Sequence, residues 1–313
     1  MTKTRPFRFG VVTESAPSRE AWIALVRRVE ELGYTTFLLA DHYVNEFPPI
    51  AALMAAADAA MTMRIGSFVF DNDFRHPAQL AKEAATLDLL SDGRFDLGIG
   101  AGWHRPEYEQ VGLPFESAGV RIGRLEEALS IIKQFFTRET VTFAGRYYTV
   151  TDLKAFPKPL QQPHPPIFMG GGGKKLLTLA GREADIVGLH LKVNDDGTVD
   201  AWERSEAAIA QKVEWVRQAA GERFTEVELN LLVGSVVITE DRQQAAEQRA
   251  RESGRPEVTA EQLLASPYLL IGTVEQLVEQ IQQRREHYGI SYLVVGSEDM
   301  EAFAPVVARL ASM

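Results

Sequence analysis

Short apolar runs alternate with longer amphipathic segments along this chain. Most of the runs are bounded by polar or glycine residues, which is typical of strands that are covered on both faces. Eight such strands are predicted, at residues 9–13, 36–40, 64–69, 95–99, 166–169, 186–189, 229–237 and 292–295. The pattern therefore indicates a largely buried parallel sheet.

Amphipathic helices are predicted between these strands. Apolar residues recur there at helical spacing, Pro77 opens one segment and Gly289 follows the end of another. The clearest segments are 19–32, 77–90, 120–136 and 273–288. This α/β alternation predicts a single (β/α)₈ TIM barrel with insertions, and hence one domain over residues 1–313. An open, doubly wound sheet is the structural alternative.

Two long intervals predict insertions into the barrel. The interval 136–166 contains two β-prone runs, 141–143 and 147–150, and predicts a β-hairpin between barrel helix 4 and barrel strand 5. The interval 238–271 predicts extra helices near 242–251 and 259–264.

Composition excludes several classes of protein. The chain has no cysteine, which removes disulfides, thiolate metal sites and cysteine nucleophiles. Asp and Glu (43) outnumber Lys and Arg (33), and the net charge of −10 argues against nucleic acid or an anionic membrane as a partner. The sequence shows neither a signal-peptide pattern nor an apolar run of membrane-spanning length. We therefore expect a cytoplasmic homodimer that acts on a small molecule.

Residues that follow the predicted strands carry candidate chemistry, because the carboxyl ends of the strands form the active face of a barrel. Asp41 and His42 follow strand 2, Asn72 follows strand 3 and His190 follows strand 6. Histidine titrates near neutral pH and suits proton transfer, although a loop acid and a loop histidine are the structural alternative. The six histidines show no ligand-like spacing, so no metal site is predicted.

A glycine-rich loop follows strand 5 and opens a helix. Backbone N–H groups at such a helix start attract anions, so we predict a phosphate site there; a flexible turn is the alternative. The loop does not match a Walker A motif, since Lys175 stands where Ser or Thr is required. The predicted phosphate-binding residues are Gly170, Gly171, Gly172, Gly173 and Lys174.

A second glycine-rich segment leaves strand 4. It includes Gly100, Ala101 and Gly102, and Trp103 occupies a position at which a dinucleotide fingerprint requires glycine. We predict instead a tight strand exit that lets a planar ligand approach the backbone. Glu107 follows, either as a functional acid or as an acid of the first helical turn.

Further motifs occur in order along nearly the whole chain. They are Asp41-His42, Arg75-His76-Pro77, the segments 82–88, 91–95 and 98–103, the predicted hairpin 143–148, Pro165-Pro166-Ile167 and the segment 272–276. Together they resemble the luciferase-like monooxygenase family, particularly its coenzyme F420-dependent oxidoreductase branch.

The resemblance implies a barrel that holds FMN or the deazaflavin F420 with its ring across the mouth. It implies a non-prolyl cis peptide at Phe68-Val69, behind the ring, and a phosphate contact at residues 170–173. The strand-2 acid and histidine of the family correspond to Asp41-His42, and its acid near strand 4 corresponds to Glu107.

Hydride transfer between F420 and a small organic substrate is the leading interpretation, with His42, steered by Asp41, moving the proton. F420 is preferred to FMN on resemblance alone, and FMN would indicate a monooxygenase. A non-catalytic flavin-binding barrel would bind the cofactor without turnover. A sugar-phosphate isomerase barrel would use the glycine loop without binding a chromophore.

Overall fold

Parallel strands and helices alternate through the residues that the computed structural model describes, which are 5–44, 46–194, 197–255 and 258–311. The strands are β1 (Arg8–Thr13), β2 (Thr36–Leu39), β3 (Arg64–Ser67), β4 (Phe70–Asp71), β5 (Phe95–Gly100), β6 (Thr140–Ala144), β7 (Thr149–Lys154), β8 (Ile167–Gly171), β9 (Ile186–Leu189), β10 (Glu228–Val233), β11 (Ser235–Ile238), β12 (Leu269–Gly272) and β13 (Ile290–Gly296). The helices are α1 (Arg19–Glu31), α2 (Pro49–Ala59), α3 (Pro77–Leu90), α4 (Arg105–Gln110), α5 (Ala118–Thr137), α6 (Lys174–Glu183), α7 (Glu206–Ala220), α8 (Arg242–Glu252), α9 (Ala260–Ala265), α10 (Val274–Tyr288) and α11 (Met300–Leu310).

Eight of these strands form a closed parallel barrel. They follow one another in the order β3, β2, β1, β13, β10, β9, β8 and β5, and β5 pairs with β3 to close the ring. The predicted hairpin is also confirmed, because β6 and β7 pair in antiparallel fashion between α5 and β8. Within the described ranges, none of the helices combines the length and the apolar character needed to cross a bilayer.

The predicted strand 229–237 is wrong in its extent, because this segment forms two strands. β10 pairs with the barrel strands β9 and β13, whereas β11 pairs with β12 in a separate sheet. Gly234 lies at the break, where its N–H donates to the Tyr268 carbonyl at 2.8 Å. The segments on both sides of Gly234 are mostly apolar, so both read as strand, and this pattern does not show that they have different partners.

The predicted strand 64–69 also ends early, at Ser67. The Phe68-Val69 peptide is cis, as the resemblance implied, and the chain pairs again with β5 through the short strand β4. The two extra helices predicted between residues 238 and 271 correspond to α8 and α9.

The interior of the barrel is filled at its base and hollow at its mouth. Alternate residues of each strand point inward, and six of them pack as an inner cluster: Leu38, Phe68, Phe168, Ile186, Tyr292 and Val294. Toward the carboxyl ends of β8, β9 and β13, the same alternation reaches three residues without side chains: Gly170, Gly188 and Gly296. These glycines make room for side chains that border the cavity, because a Cβ at Gly170 or Gly188 would meet the His190 ring and one at Gly296 would meet the Glu298 carboxylate.

A buried carboxylate ties the strands together at the base. The Asp96 side chain is 4% exposed, accepts hydrogen bonds from Arg64 Nε at 2.9 Å and Nη2 at 2.6 Å, and is also paired with Arg8. Arg8 bonds in addition to Glu228 at 3.2 Å, so β1, β3, β5 and β10 share one network. Burial alone would raise the pKa of Asp96, but the two guanidinium groups lower it, and the carboxylate stays ionised.

We expect Asp96→Ala to lower the free energy of unfolding by about 3 kcal/mol, because it removes the buried anion that two partly buried guanidinium groups share, although Arg8 keeps Glu228. The measurement is urea denaturation followed by circular dichroism. Since the pKa of Asp96 is lowered in the folded state, its contribution is complete above the ordinary aspartate pKa of about 3.9 and is lost as the pH falls below that value.

Glu126→Gln is the matched control for Asp96→Ala. Glu126 pairs with Arg182 at 2.7 Å, but the two side chains are 56% and 48% exposed. Exposed pairs contribute at most about 1 kcal/mol. If Asp96→Ala and Glu126→Gln lose the same free energy of unfolding, the ion-pair network at the base of the barrel contributes no more than an exposed pair.

Candidate active site

A cavity of about 1710 Å³ opens at the carboxyl ends of the barrel strands. Pockets for single ligands usually have volumes of roughly 300–1,000 Å³, so this cavity has room for a cofactor and a substrate together. Most of the predicted site residues line it: Asp41, His42, Phe68, Val69, Ala101, Gly102, Glu107, Gly170, Gly171, Gly172, Gly173, Lys174 and His190.

His42 and Glu107 form the central polar pair of the cavity. His42 Nδ1 lies 2.8 Å from Glu107 Oε1, and the Tyr43 N–H donates to Glu107 Oε2 at 3.0 Å. The Glu107 side chain is only 1% exposed. Burial alone would raise its pKa, but hydrogen bonds from His104 and the Tyr43 amide, together with His42, lower the pKa below its ordinary value. Glu107 is therefore an ionised carboxylate that orients His42.

The prediction that Asp41 steers His42 is wrong. Asp41 accepts two hydrogen bonds from Arg75, at 2.6 and 3.0 Å, and one from the Asp71 N–H at 3.1 Å. Asp41 therefore fixes the neighbouring strand end, while Glu107 takes the steering role.

His104 is a site residue that the sequence analysis missed. It caps the start of α4, and its Nδ1 is hydrogen-bonded to the same oxygen of Glu107 that His42 contacts. A possible signal was the spacing of His104 and Glu107, three residues apart at a helix start.

His42, His104 and Glu107 together could also hold a metal ion. Their ligand atoms lie within 4.8 Å of one another, although the residues are not spaced like metal ligands in the sequence. The absence of a metal site therefore stays a prediction.

Neighbouring residues leave no room for a side chain at two positions of the glycine loop. A Cβ atom at Gly171 would lie 2.5 Å from the Leu176 side chain, and one at Gly172 would lie 2.2 Å from the Lys192 backbone nitrogen. A Cβ at Gly173, which is the N-cap of α6, would meet nothing within 4 Å. Gly173 therefore presents the open start of the helix to the cavity, where an anion is favoured.

An aromatic floor lies beneath the mouth. The His190 ring is 5.2 Å from the Phe68 ring and 6.2 Å from the Phe168 ring, measured between centroids. Its Nε2 atom is buried and has no hydrogen-bond partner among the described residues. Burial, followed by the charge of Lys212, lowers the pKa of His190 to about 4. The floor is therefore uncharged at neutral pH.

Gly170 and Gly188 leave the room that the His190 ring occupies. A Cβ at either position would come within 2.6 to 2.7 Å of that ring. The two glycines thus allow the His190 ring to pack beside β8 and β9.

Lys212 holds the segment that carries His190 in place. Its side chain is fully buried, its Nζ pairs with Glu203 at 2.7 Å, and it donates to the His190 carbonyl at 2.8 Å. Glu203 also accepts the Lys192 N–H at 3.0 Å. Burial lowers the pKa of Lys212 and the adjacent carboxylate opposes that shift. The pair holds the segment from His190 to Lys192 against the glycine loop.

Two predicted cofactor residues do not line the cavity. Asn72 is 1% exposed and donates to the hydroxyl of Tyr148, so it anchors the β6–β7 hairpin. Gly100 lies behind Val69, whose side chain occupies the space that a Cβ would need.

Gly102 is required by packing and by its backbone. Its φ angle is +72°, a region that favours glycine, and a Cβ would collide with the Tyr108 hydroxyl. That hydroxyl donates to Asp71, a carboxyl group of the cavity wall whose pKa burial raises to about 7.

A closed parallel barrel with a histidine–carboxylate pair and a glycine-rich helix start at its carboxyl face is the frame of an α/β-barrel enzyme site. Residues 4–291 match the family model of the luciferase-like monooxygenases. The chain belongs to this family, which confirms the resemblance seen in the sequence.

Relatives within the family differ in cofactor. The chain is 34% identical over 195 residues to a protein of Kineococcus radiotolerans named F420-dependent glucose-6-phosphate dehydrogenase, covering 59% of this chain and 56% of that one. It is 36% identical over 109 residues to the FMNH(2)-dependent dimethylsulfone monooxygenase of Pseudomonas putida, covering 35% and 30% of the two chains. The chain thus spans about half the length, or less, of these curated relatives.

Solved structures support the fold. The coenzyme F420-dependent tetrahydromethanopterin reductase of Methanopyrus kandleri superposes with a TM-score of 0.78 at 19% identity, covering 98% of this chain and 100% of that one. At this level of identity the likeness establishes the architecture.

We expect Lys212→Met to lower the free energy of unfolding by about 3–5 kcal/mol, because it leaves Glu203 buried without a counter-charge. Lys212→Met combined with Glu203→Leu removes both charges and should recover most of that loss. Thermal or urea unfolding of the three proteins checks this. A double variant as unstable as the single one would show that the charges are not coupled.

Proposed function

We propose that this protein is an F420-dependent oxidoreductase that transfers a hydride between the deazaflavin and a small organic substrate. The observation that carries the proposal is the meeting, in one cavity, of an anion-attracting helix start and a histidine held by a buried carboxylate. Relatives named as F420-dependent dehydrogenases support it.

The residues of the cavity fit a phosphate-bearing tricyclic cofactor. Gly173 leaves the first N–H groups of α6 accessible, and the uncharged floor of Phe68 and His190 offers a face for a flat ring. These features would hold the phosphate and the ring, respectively. When bound, the deazaflavin supplies two-electron hydride chemistry.

His42 supplies the proton transfer in this proposal. Because Glu107 accepts the Nδ1 proton, the Nε2 atom of the neutral ring carries a lone pair. In the oxidising direction, Nε2 accepts the hydroxyl proton of the substrate as the hydride leaves the carbon that bears the hydroxyl. The buried anion of Glu107 then stabilises the imidazolium ion. In the reducing direction, the same proton returns to the substrate oxygen.

The charge around the loop favours F420 over FMN. Lys174, Lys175 and Lys192 line the same cavity, and none of them pairs with a carboxylate in the described residues. Two lysines at a helix start oppose the helix dipole, which an anion beside them would offset. F420 carries an acidic tail beyond its phosphate, whereas FMN ends at the phosphate. FMN-dependent monooxygenation is the second candidate, favoured by the relative from Pseudomonas putida.

Apoprotein should bind F420 more tightly than FMN. This margin in affinity should shrink with added salt, because exposed charges are screened over roughly 8–10 Å at physiological ionic strength. A fluorescence titration with each cofactor at two salt concentrations measures this margin. Replacing Lys174 and Lys175 together by alanine should reduce the margin while FMN binding persists. Equal or tighter binding of FMN at low salt would reverse the cofactor assignment.

Gly173→Val tests the helix start in the same titration. Gly173 has φ −91° and ψ 144°, which valine adopts readily, and its Cβ has open space. We expect affinity for both cofactors to fall at least about tenfold while the fold is retained, with Gly173→Ala intermediate. Substitutions at Gly171 or Gly172 are poorer tests because they would displace Leu176 or the Lys192 backbone. Unchanged affinity in Gly173→Val would remove the loop from the cofactor site.

His42→Ala should lower kcat about 10²–10⁴-fold with little change in cofactor affinity, as is typical of removing a general acid–base group. Steady-state kinetics with an identified alcohol or carbonyl substrate provides the measurement, and cofactor titration of the same variant provides the control. Asp41→Asn should lower kcat less than His42→Ala, since Asp41 contacts Arg75 instead of His42. Wild-type kcat in His42→Ala would exclude the proton-transfer role.

A further inference from the structure

We propose that His104 is a second proton-transfer residue of this site, oriented by the same carboxylate oxygen as His42. The inference rests on the proposed oxidoreductase function and extends it from one base to two. Both imidazole rings line the cavity, with side chains 22% exposed for His42 and 35% exposed for His104.

The tautomer of both rings follows from the charge of Glu107. An ionised carboxylate only accepts hydrogen bonds, so each Nδ1 atom that contacts Oε1 must carry its proton. In each neutral ring the lone pair is then on Nε2, on the side away from Glu107. The lowered pKa of Glu107 keeps this arrangement in place at neutral pH.

Both Nε2 atoms are available to a substrate. Over the described ranges, neither of them has a hydrogen-bond partner in the protein, and neither is buried. Trp103 stacks on the His104 ring at 5.0 Å and meets the His42 ring edge-on at 5.9 Å, so both ring planes are fixed. The site therefore presents two oriented bases beside the Glu107 carboxylate.

The balanced chemistry is the same for either base. As the carbon–hydrogen bond of an alcohol gives its hydride to the oxidised deazaflavin, the O–H bond breaks and its proton forms a bond to Nε2 of His42 or His104. The alcohol is oxidised to a carbonyl compound and the deazaflavin is reduced. Glu107 stabilises the positive ring in both cases, and the proton then leaves to water. His104, the more exposed ring, keeps a route for the proton when His42 is absent.

Hydrogen bonding describes this cluster better than metal coordination. Ligands around a tetrahedral ion at about 2.1 Å stand roughly 3.4 Å apart, whereas His42 Nδ1 and Glu107 Oε1 are separated by 2.8 Å. That distance is ordinary for an N–H···O hydrogen bond.

The kinetic test uses His104→Gln, because the glutamine amide can still donate to Glu107 but cannot act as a base. We expect His104→Gln alone to lower kcat about threefold to tenfold with little change in KM. In the His42→Ala background it should remove at least a further tenfold of the remaining kcat. If His104 only positions Glu107, His104→Gln will match wild type and the double variant will match His42→Ala, and the proposal fails.

A cofactor-free measurement separates this inference from the proposed function. Long-range ¹H–¹⁵N NMR of the apoprotein should show Nδ1–H and an unprotonated Nε2 for both His42 and His104, and Glu107→Gln should abolish that preference. A His104 ring protonated only at Nε2 would overturn the proposal. Stoichiometric Zn²⁺ binding that shifts both rings would overturn it as well, in favour of a metal site. Failure to bind F420 would instead contradict the proposed function and leave the tautomer result standing.

Discussion

Closure of the sheet into a barrel is the constraint on which the rest of this structure depends. Every second residue of eight strands must fit into one enclosed space. Different side chains fill each level of the barrel interior. Ion-paired side chains lie at the base, aromatic and aliphatic side chains lie above them, and glycines lie near the mouth. At the uppermost inward positions, glycines make room for the His190 ring and the Glu298 side chain, which border the cavity. Fold and site are therefore consequences of the same alternation.

Glu107 is the group around which the polar side chains of the site are arranged. It is a buried anion reached by two imidazole rings and one backbone amide, and it lies on α4, whereas His42 lies at the end of β2. Partners from separate elements converge only when the barrel closes. The orientation of His42 thus depends on the tertiary fold, whereas His104 contacts Glu107 locally, three residues away at the start of α4.

The sequence was sufficient to predict the architecture, and most of the site residues that it singled out line the cavity, because apolar periodicity and strand ends carry that information. It was insufficient where long-range contacts decide. The run from Leu229 to Val237 is mostly apolar, yet Gly234 separates a barrel strand from a strand of another sheet. Adjacency in sequence suggested that Asp41 serves His42, while the fold pairs Asp41 with Arg75. His104 is recognised only once Glu107 is seen to be buried.

The second sheet, β11 and β12, lies outside the hydrogen-bonded ring, yet residues 249, 252–253, 255, 258, 263, 266 and 268–269, on and around α8 and α9, line the cavity opposite the glycine loop. One wall of the site therefore belongs to an appendage, while the loop packed against Lys192 belongs to the barrel itself. Insertions or deletions in the appendage can reshape what enters the cavity without moving the loop. The cavity is thus shared between a wall that the appendage carries and a loop that the barrel holds in place.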